Sequence, residues 1–220
     1  GSTVWTQGSG GDGGDVAVDD TSTPGISYRY SSSQNLGGFV RSTFDANNNF
    51  LGATPVGLQE LSVNELTTIF VTPITLNDIN PTRMIIGGGN STWESFDRGD
   101  TISIVGAGIQ VNSSSMPIAY GGRLGNTANT DVLYVGAGSS VFVRPTAADQ
   151  LEPAISYEGG FVIDIVLDDN DWRTAYVIDG NDDVWVTNNA GDTWANITTD
   201  LFTVTDQLRS LEFVPGMFQD

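Results

Sequence analysis

Asp179, Asn181 and Asp183 alternate along the chain with a spacing that could bind a hard cation. In such a loop alternate side chains turn toward one centre, and calcium prefers carboxylate and amide oxygens as ligands. The same residues stand where a hairpin turn is expected, and Asp-Gly and Asn-Asp are common turn dipeptides. The loop also lacks the glycine and the distal bidentate glutamate of helix–loop–helix calcium sites. The segment therefore predicts either a plain turn or a calcium site, and calcium is the one candidate cofactor.

Three residue types that carry much of enzyme chemistry are missing from the chain. Its 220 residues include no His and no Cys, and all eight basic residues are arginines, so Lys is absent too. Without His and Cys, zinc sites with nitrogen or sulfur ligands and Ser-His-Asp or Cys-His nucleophiles are excluded. Without Lys, Schiff-base chemistry and the phosphate-binding lysine of P-loops are excluded. Any catalysis would have to use carboxylates or tyrosines.

Carboxylates are abundant, and a facing pair of them would suffice for glycoside hydrolysis. With 27 acidic residues, however, some pair faces each other by chance, so their number favours no mechanism. The acidic run 168–171 is expected to be a solvated loop after an inner strand. Trp5 and Trp172 lie outside the repeated aromatic positions described below, which makes them the candidate ligand-binding residues. The residues favour a non-catalytic role, with a glycoside hydrolase fragment as the alternative.

The charge of the chain limits its partners. Eight arginines against 27 acidic residues give a net charge of −19, which repels nucleic acid and anionic membrane surfaces. No apolar run is long enough to span a bilayer. We therefore expect no nucleic-acid partner and no membrane insertion. The missing thiols suit exported bacterial proteins, so the expected location is secreted or at the cell surface of a bacterium.

Short alternating strands separated by Gly, Asn and Asp turns recur along the chain, and helical periodicity is confined to one expected turn near 59–66. A large aromatic follows each central turn, at Phe39, Trp93, Phe142 and Trp185. This period of roughly 40–50 residues is that of β-propeller blades. The predicted fold is an all-β propeller of about four blade units of antiparallel strands, complete or part of a larger propeller. The predicted units are 15–62, 69–113, 116–158 and 161–202, and 208–214 is expected to start a fifth.

Two segments in register with this repeat, 95–102 and 187–194, carry a Ser/Thr-x-Asp/Asn-x-Gly-x-Thr pattern. In each, Asp or Asn is expected to accept backbone N–H groups and Gly to adopt a positive φ. The Thr is expected to begin the returning strand, and Trp194 to pack between hairpins. The residues with these structural roles are Ser95, Asp97, Gly99, Thr101, Thr187, Asn189, Gly191, Thr193 and Trp194.

The pattern resembles the Asp-box, or BNR repeat, of sialidase-like and sortilin-like β-propellers. Together with the Gly- and Asp-rich start of the chain, it also resembles propeller regions of large exported bacterial proteins, cyanobacterial ones among them, that carry calcium-binding repeats. The resemblance implies architecture more than activity. It implies a binding, adhesion or scaffold module with a glycan or protein ligand, joined to neighbouring domains of a larger exported protein.

Overall fold

The computed structural model describes residues 12–61, 65–111, 117–199, 201, 205 and 207–214. Within these residues the chain forms strands and turns, and no described helix is long and apolar enough to cross a membrane. The strands build four antiparallel meanders, which we call blades one to four. Each meander joins strands that are consecutive in sequence, as expected where short turns separate alternating apolar and polar residues.

Each blade contains four strands. Blade one consists of β1 (Gly13–Asp19), β2 (Ile26–Ser33), β3 (Val40–Asp45) and β4 (Phe50–Pro55), with a 3-10 turn at Gln34–Leu36, and is followed by the short β5 (Gln59–Glu60). Blade two consists of β6 (Ile74–Leu76), β7 (Met84–Gly87), β8 (Ser91–Ser95) and β9 (Thr101–Ala107). Blade three consists of β10 (Ile118–Leu124), β11 (Thr127–Ala137), β12 (Ser140–Arg144) and β13 (Glu152–Pro153). Blade four consists of β14 (Val162–Asp168), β15 (Asp171–Asp179), β16 (Val184–Thr187) and β17 (Ala195–Asn196).

The first strands of the blades lie side by side, with β6 between β1 and β10, and β10 between β6 and β14. Three apolar clusters fill the spaces between consecutive blades. Trp93 and Tyr30 lie between blades one and two, Ile85 and Leu133 between blades two and three, and Tyr134 between blades three and four. Sheets that pack face to face around a shared set of inner strands are the β-propeller architecture. The predicted all-β propeller of about four blades is confirmed.

Two described segments lie outside the four blades. The helical turn expected near 59–66 is replaced, in its described part, by β5, which pairs in parallel with the start of β9. Residues 207–214 have no assigned strand, yet they lie along blade four. The N–H of Leu211 donates to Asp164 Oδ2 at 2.8 Å, and the ring of Phe213 stacks on Tyr176.

A buried ion cluster joins blades two and three. Glu94 on β8 is only 4% exposed, and its carboxylate accepts hydrogen bonds from Arg83, Arg144 and the hydroxyl of Tyr120. Arg144 binds it in a bidentate manner, at 2.8 and 2.9 Å. Burial alone would raise the pKa of Glu94, but the hydrogen bonds from Arg144, Tyr120 and Arg83 outweigh it and hold the pKa below its ordinary value. The carboxylate therefore stays ionised, holding Arg144 across the interface and Arg83 within its own blade.

Replacing Glu94 with Gln should lower the free energy of unfolding by about 3–5 kcal/mol, because the buried guanidinium group of Arg144 loses its counter-charge and that of Arg83 keeps only Asp131. The contribution of Glu94 should be complete above its unfolded-state pKa and disappear as the pH falls through its lowered folded-state pKa. Urea denaturation at several pH values measures both effects. As a control, Asp100→Asn removes only the partly exposed Arg41–Asp100 pair and should cost less than about 1 kcal/mol. Equal small losses in both variants would contradict the role assigned to Glu94.

Candidate functional site

A cleft of about 600 Å³ lies where the inner strands of blades two, three and four meet. Its walls come from β6, β10 and β14 and from the turns that follow β6 and β14, and Glu212 and Phe213 contribute from the C-terminal segment. Concave sites with a few convergent polar groups at the junction of elements are where proteins commonly bind small ligands. The cleft is therefore the candidate functional site.

The turn after β6 is anchored by one buried side chain. Asn77 is almost completely buried, and its Oδ1 accepts the N–H groups of Ile79 and Asn80 at 3.0 and 2.9 Å. Its Nδ2 donates to the carbonyl of Thr130 on blade three at 2.8 Å. The N–H of Asp78 itself donates to the carbonyl of Tyr120. These bonds hold the backbone on either side of Asp78, whose carboxyl group lines the cleft.

The turn after β14 supplies the opposite wall. Asp168 Oδ1 accepts the N–H groups of Asn170 and Asp171 at 2.8 and 3.1 Å, and the carbonyl of Asn170 accepts the N–H of Gly125. With Asp168 closing the turn, Asp169 is exposed at the cleft. The sequence predicted a solvated acidic loop here, and the residues are indeed accessible, but the turn is ordered by these bonds and faces Asp78 across the cleft.

The surroundings of Asp78 in the cleft change the pKa of its carboxyl group. The surrounding protein desolvates this carboxyl group and raises its pKa above the ordinary value, and the negative charges of Asp169 and Glu212 add to the rise, whereas Arg123 opposes it. The exposed Arg123 is the one cation among the residues that line the cleft. The site thus combines several acceptors, one arginine and one carboxyl group whose pKa is raised.

The predicted calcium residues have other partners in the structure. Asp179 is fully buried, and its Oδ1 accepts the N–H groups of Asn181 and Asp183 at 2.9 and 3.0 Å. Its Oδ2 accepts the N–H of Gly160 and the indole N–H of Trp185. Asp183 Oδ1 accepts the hydroxyl of Thr198. No group of three or more acidic side chains arranged to bind a metal occurs among the described residues. Asp179 organises a hairpin turn, and the calcium site stays a prediction.

The two box segments form turns of the same geometry. In blade two, the Ser95 hydroxyl accepts the N–H of Gly99 at 2.8 Å and donates to Asp97, which accepts the N–H of Thr101 at 2.8 Å. Gly99 has a φ of 86°. An added Cβ there would lie 2.5 Å from a methyl group of Val56 on the preceding blade, so a side chain would meet both backbone strain and a clash.

In blade four, Thr187 and Asn189 repeat these bonds. The Thr187 hydroxyl accepts the N–H of Gly191 at 3.0 Å, and Asn189 Oδ1 accepts the N–H of Thr193 at 3.0 Å. Gly191 has a φ of 88°, and Trp194 packs edge-on against Tyr157. Both turns lie outside the cleft and pack on the preceding blade. Their identity as Asp-boxes remains a prediction from the resemblance.

The two tryptophans proposed as ligand contacts are not brought to the cleft. Trp172 is half-buried against the apolar cluster between blades three and four, and it is not among the cleft residues. Trp5 lies outside the described residues. The sequence missed Asp78, Arg123 and Glu212 because each comes from a different unit. Their shared signal is a position at or just after a predicted inner strand.

Comparison with known proteins supports the architecture. No protein-family model matches the chain, and no curated protein matches it in sequence. An ancestral GH74 enzyme superposes with a TM-score of 0.57 at 16% identity, covering 88% of this chain and 25% of that one. The GH74 enzyme of Niastella koreensis superposes with a TM-score of 0.55 at 18% identity, covering 84% and 29%. YCF48 from Cyanidioschyzon merolae has a TM-score of 0.46 at 10% identity, covering 77% and 55%.

The likenesses to the two GH74 enzymes show the β-propeller fold alone. The chain spans less than a third of the length of either GH74 enzyme.

Replacing Asp179 with Asn should lower the free energy of unfolding by about 1–3 kcal/mol, because an amide cannot accept four N–H groups and leaves buried donors unpaired. Asp183→Asn keeps an acceptor for Thr198 and should cost less. Thermal unfolding of the parent protein and both variants, with calcium and with chelator, measures this. The turn interpretation predicts the same midpoints in calcium and in chelator. A calcium-dependent rise in the parent protein that both variants lose would contradict the turn interpretation.

Proposed function

We propose that the chain is a non-catalytic binding module of an exported protein and that the central cleft binds a glycan. The observation that carries the proposal is the convergence of Asp78, Asp169 and Arg123 from separate blades on one concave site. Sugar hydroxyl groups donate to carboxylates and accept from a guanidinium group, so this mixture suits a polyhydroxylated ligand.

The charge of the cleft selects among glycans. Four acidic residues and one arginine line it, and the whole chain carries a net charge of −19. A polyanionic sugar chain would be repelled by this field, whereas a neutral one would not. The proposed ligand is therefore a neutral oligosaccharide or polysaccharide. Export to the cell surface, an adhesion role, calcium and neighbouring domains remain parts of the proposal that rest on composition and on the resemblance.

A glycoside hydrolase is the second candidate, and one feature of the cleft favours it. Glycosidases place a protonated carboxyl group opposite an ionised one, and neighbouring negative charge is one means of keeping the first protonated. Asp78 has a raised pKa and faces Asp169 and Glu212. The fold is also shared with the two GH74 enzymes. The two candidates differ in one outcome, the release of new reducing ends.

The test is a panel of neutral and acidic polysaccharides, with binding measured by calorimetry and reducing ends assayed in the same samples. We expect neutral ligands to bind without release. Asp169→Asn should weaken binding by about 10–100-fold, since a hydrogen bond to a charged group contributes about 1.5–3 kcal/mol. Glu152→Gln, on the outer strand β13, should bind like the parent protein.

Reducing-end release would support the hydrolase if it stops in Asp78→Asn and declines as the pH rises through the raised pKa of Asp78. Equal binding by Asp169→Asn and Glu152→Gln, or absence of binding to every glycan, would contradict the cleft as the glycan site. Circular dichroism of each variant would verify that the fold is retained.

A further inference from the structure

One face of blade one is apolar and uncovered in the described part of the chain. Residues paired across an antiparallel sheet share a face, and the register places Val16, Val18, Phe44 and Phe50 together with Arg29 on the side away from blade two. Val16, Val18 and Phe50 are 66%, 58% and 60% exposed. We call this side the outer face of blade one. Exposed apolar patches of this extent mark interaction surfaces.

The equivalent surface of blade four shows what such a face packs against. β1 and β14 are both seven residues long, and the pairing of each with the next strand shifts in register near its start. The third residue of each strand is an aspartate, Asp15 or Asp164, that accepts a backbone N–H from a neighbouring segment. The fourth and sixth residues of β14, Ile165 and Leu167, pack in the cluster shared with blade three. Val16 and Val18 occupy the same positions of β1. The outer face of blade one is thus one half of an interface that the chain forms three times within itself.

The charge of this face allows association with a partner that is itself acidic overall. The sheet positions that share it by register include one arginine, Arg29, and no carboxylate. The guanidinium group of Arg29 lies 3.9 Å from the centre of the Phe44 ring. Elsewhere the chain is strongly acidic, with a net charge of −19. Two copies of the chain that approach through these positions therefore bring no carboxylates of the face itself together, which reduces the repulsion between them.

We propose that two copies of the chain associate through the outer faces of blade one, packed sheet on sheet about a two-fold axis. Four strands spaced about 4.8 Å apart and about six residues long give a flat footprint of roughly 400 Å². With protruding side chains, the two faces would together bury roughly 1,000 Å², the lower limit for a specific interface. The expected dimer is therefore weak, depends on protein concentration and strengthens with salt, because salt screens the repulsion between acidic copies.

Analytical ultracentrifugation over a wide range of protein concentration tests the proposal. The parent chain should shift from monomer to dimer, and Val18→Asp should remain monomeric because it places two carboxylates in the interface. Ile155→Asp is the matched control, since Ile155 is 92% exposed in the link between blades three and four, and it should dimerise like the parent chain. Val18 is exposed in the monomer, so both variants should unfold at the same urea concentration as the monomeric parent.

A chain without cysteine permits a second measurement that locates the interface. In Ser31→Cys, on the outer face of blade one, the thiol should react with maleimide more slowly as protein concentration rises. In Ser140→Cys, at the exposed first residue of β12, the rate should stay constant. A parent chain that is monomeric at every concentration overturns the proposal. Dimerisation that Val18→Asp retains, or a constant reaction rate for Ser31→Cys, overturns it as well.

Discussion

Face-to-face packing of one four-stranded sheet on the next is the constraint on which this structure depends. A single blade of this size cannot cover its own apolar faces, so each requires a neighbour. Tyr30 of blade one packs on Ile74 and Trp93 of blade two, and the later blades repeat this arrangement with other residues. Burial of these side chains accounts for most of the stabilisation, because apolar area removed from water is the largest favourable contribution to folding.

Polar groups at the blade interfaces fix the angle between neighbouring sheets, which apolar packing alone does not determine. Glu94 of blade two binds Arg144 of blade three and Arg83 of its own blade. The glycine turns at Gly99 and Gly191 fit closely against the preceding blades. Since hydrophobic contacts are non-directional, directional bonds of this kind set the angle between sheets. The cleft depends on that angle, because Asp78 and Asp169 come from different blades and face each other only while the blades keep their relative positions.

The sequence was sufficient for the architecture but not for the cleft. Period-two alternation and recurring aromatics predict strands and blades, since these patterns follow from which side of a sheet is buried. The Thr187 and Asn189 turn was also anticipated in its bonding, because short polar side chains bind nearby N–H groups wherever the chain reverses. Asp78 and Glu212 could not be paired from sequence, as 134 positions separate them and only the arrangement of inner strands brings them together. Asp179 had the spacing of a calcium ligand, yet burial and four N–H donors give its carboxylate a structural role.

Hydrogen exchange measured with and without a neutral glycan tests the central claim, that the meeting point of the inner strands is the binding site. The account predicts added protection in the turns 77–80 and 168–171, whose N–H groups are held by Asn77 and Asp168, and none in the box turn 187–194. Protection confined to the box turns or to the outer strands, with the two cleft turns unchanged, would contradict it.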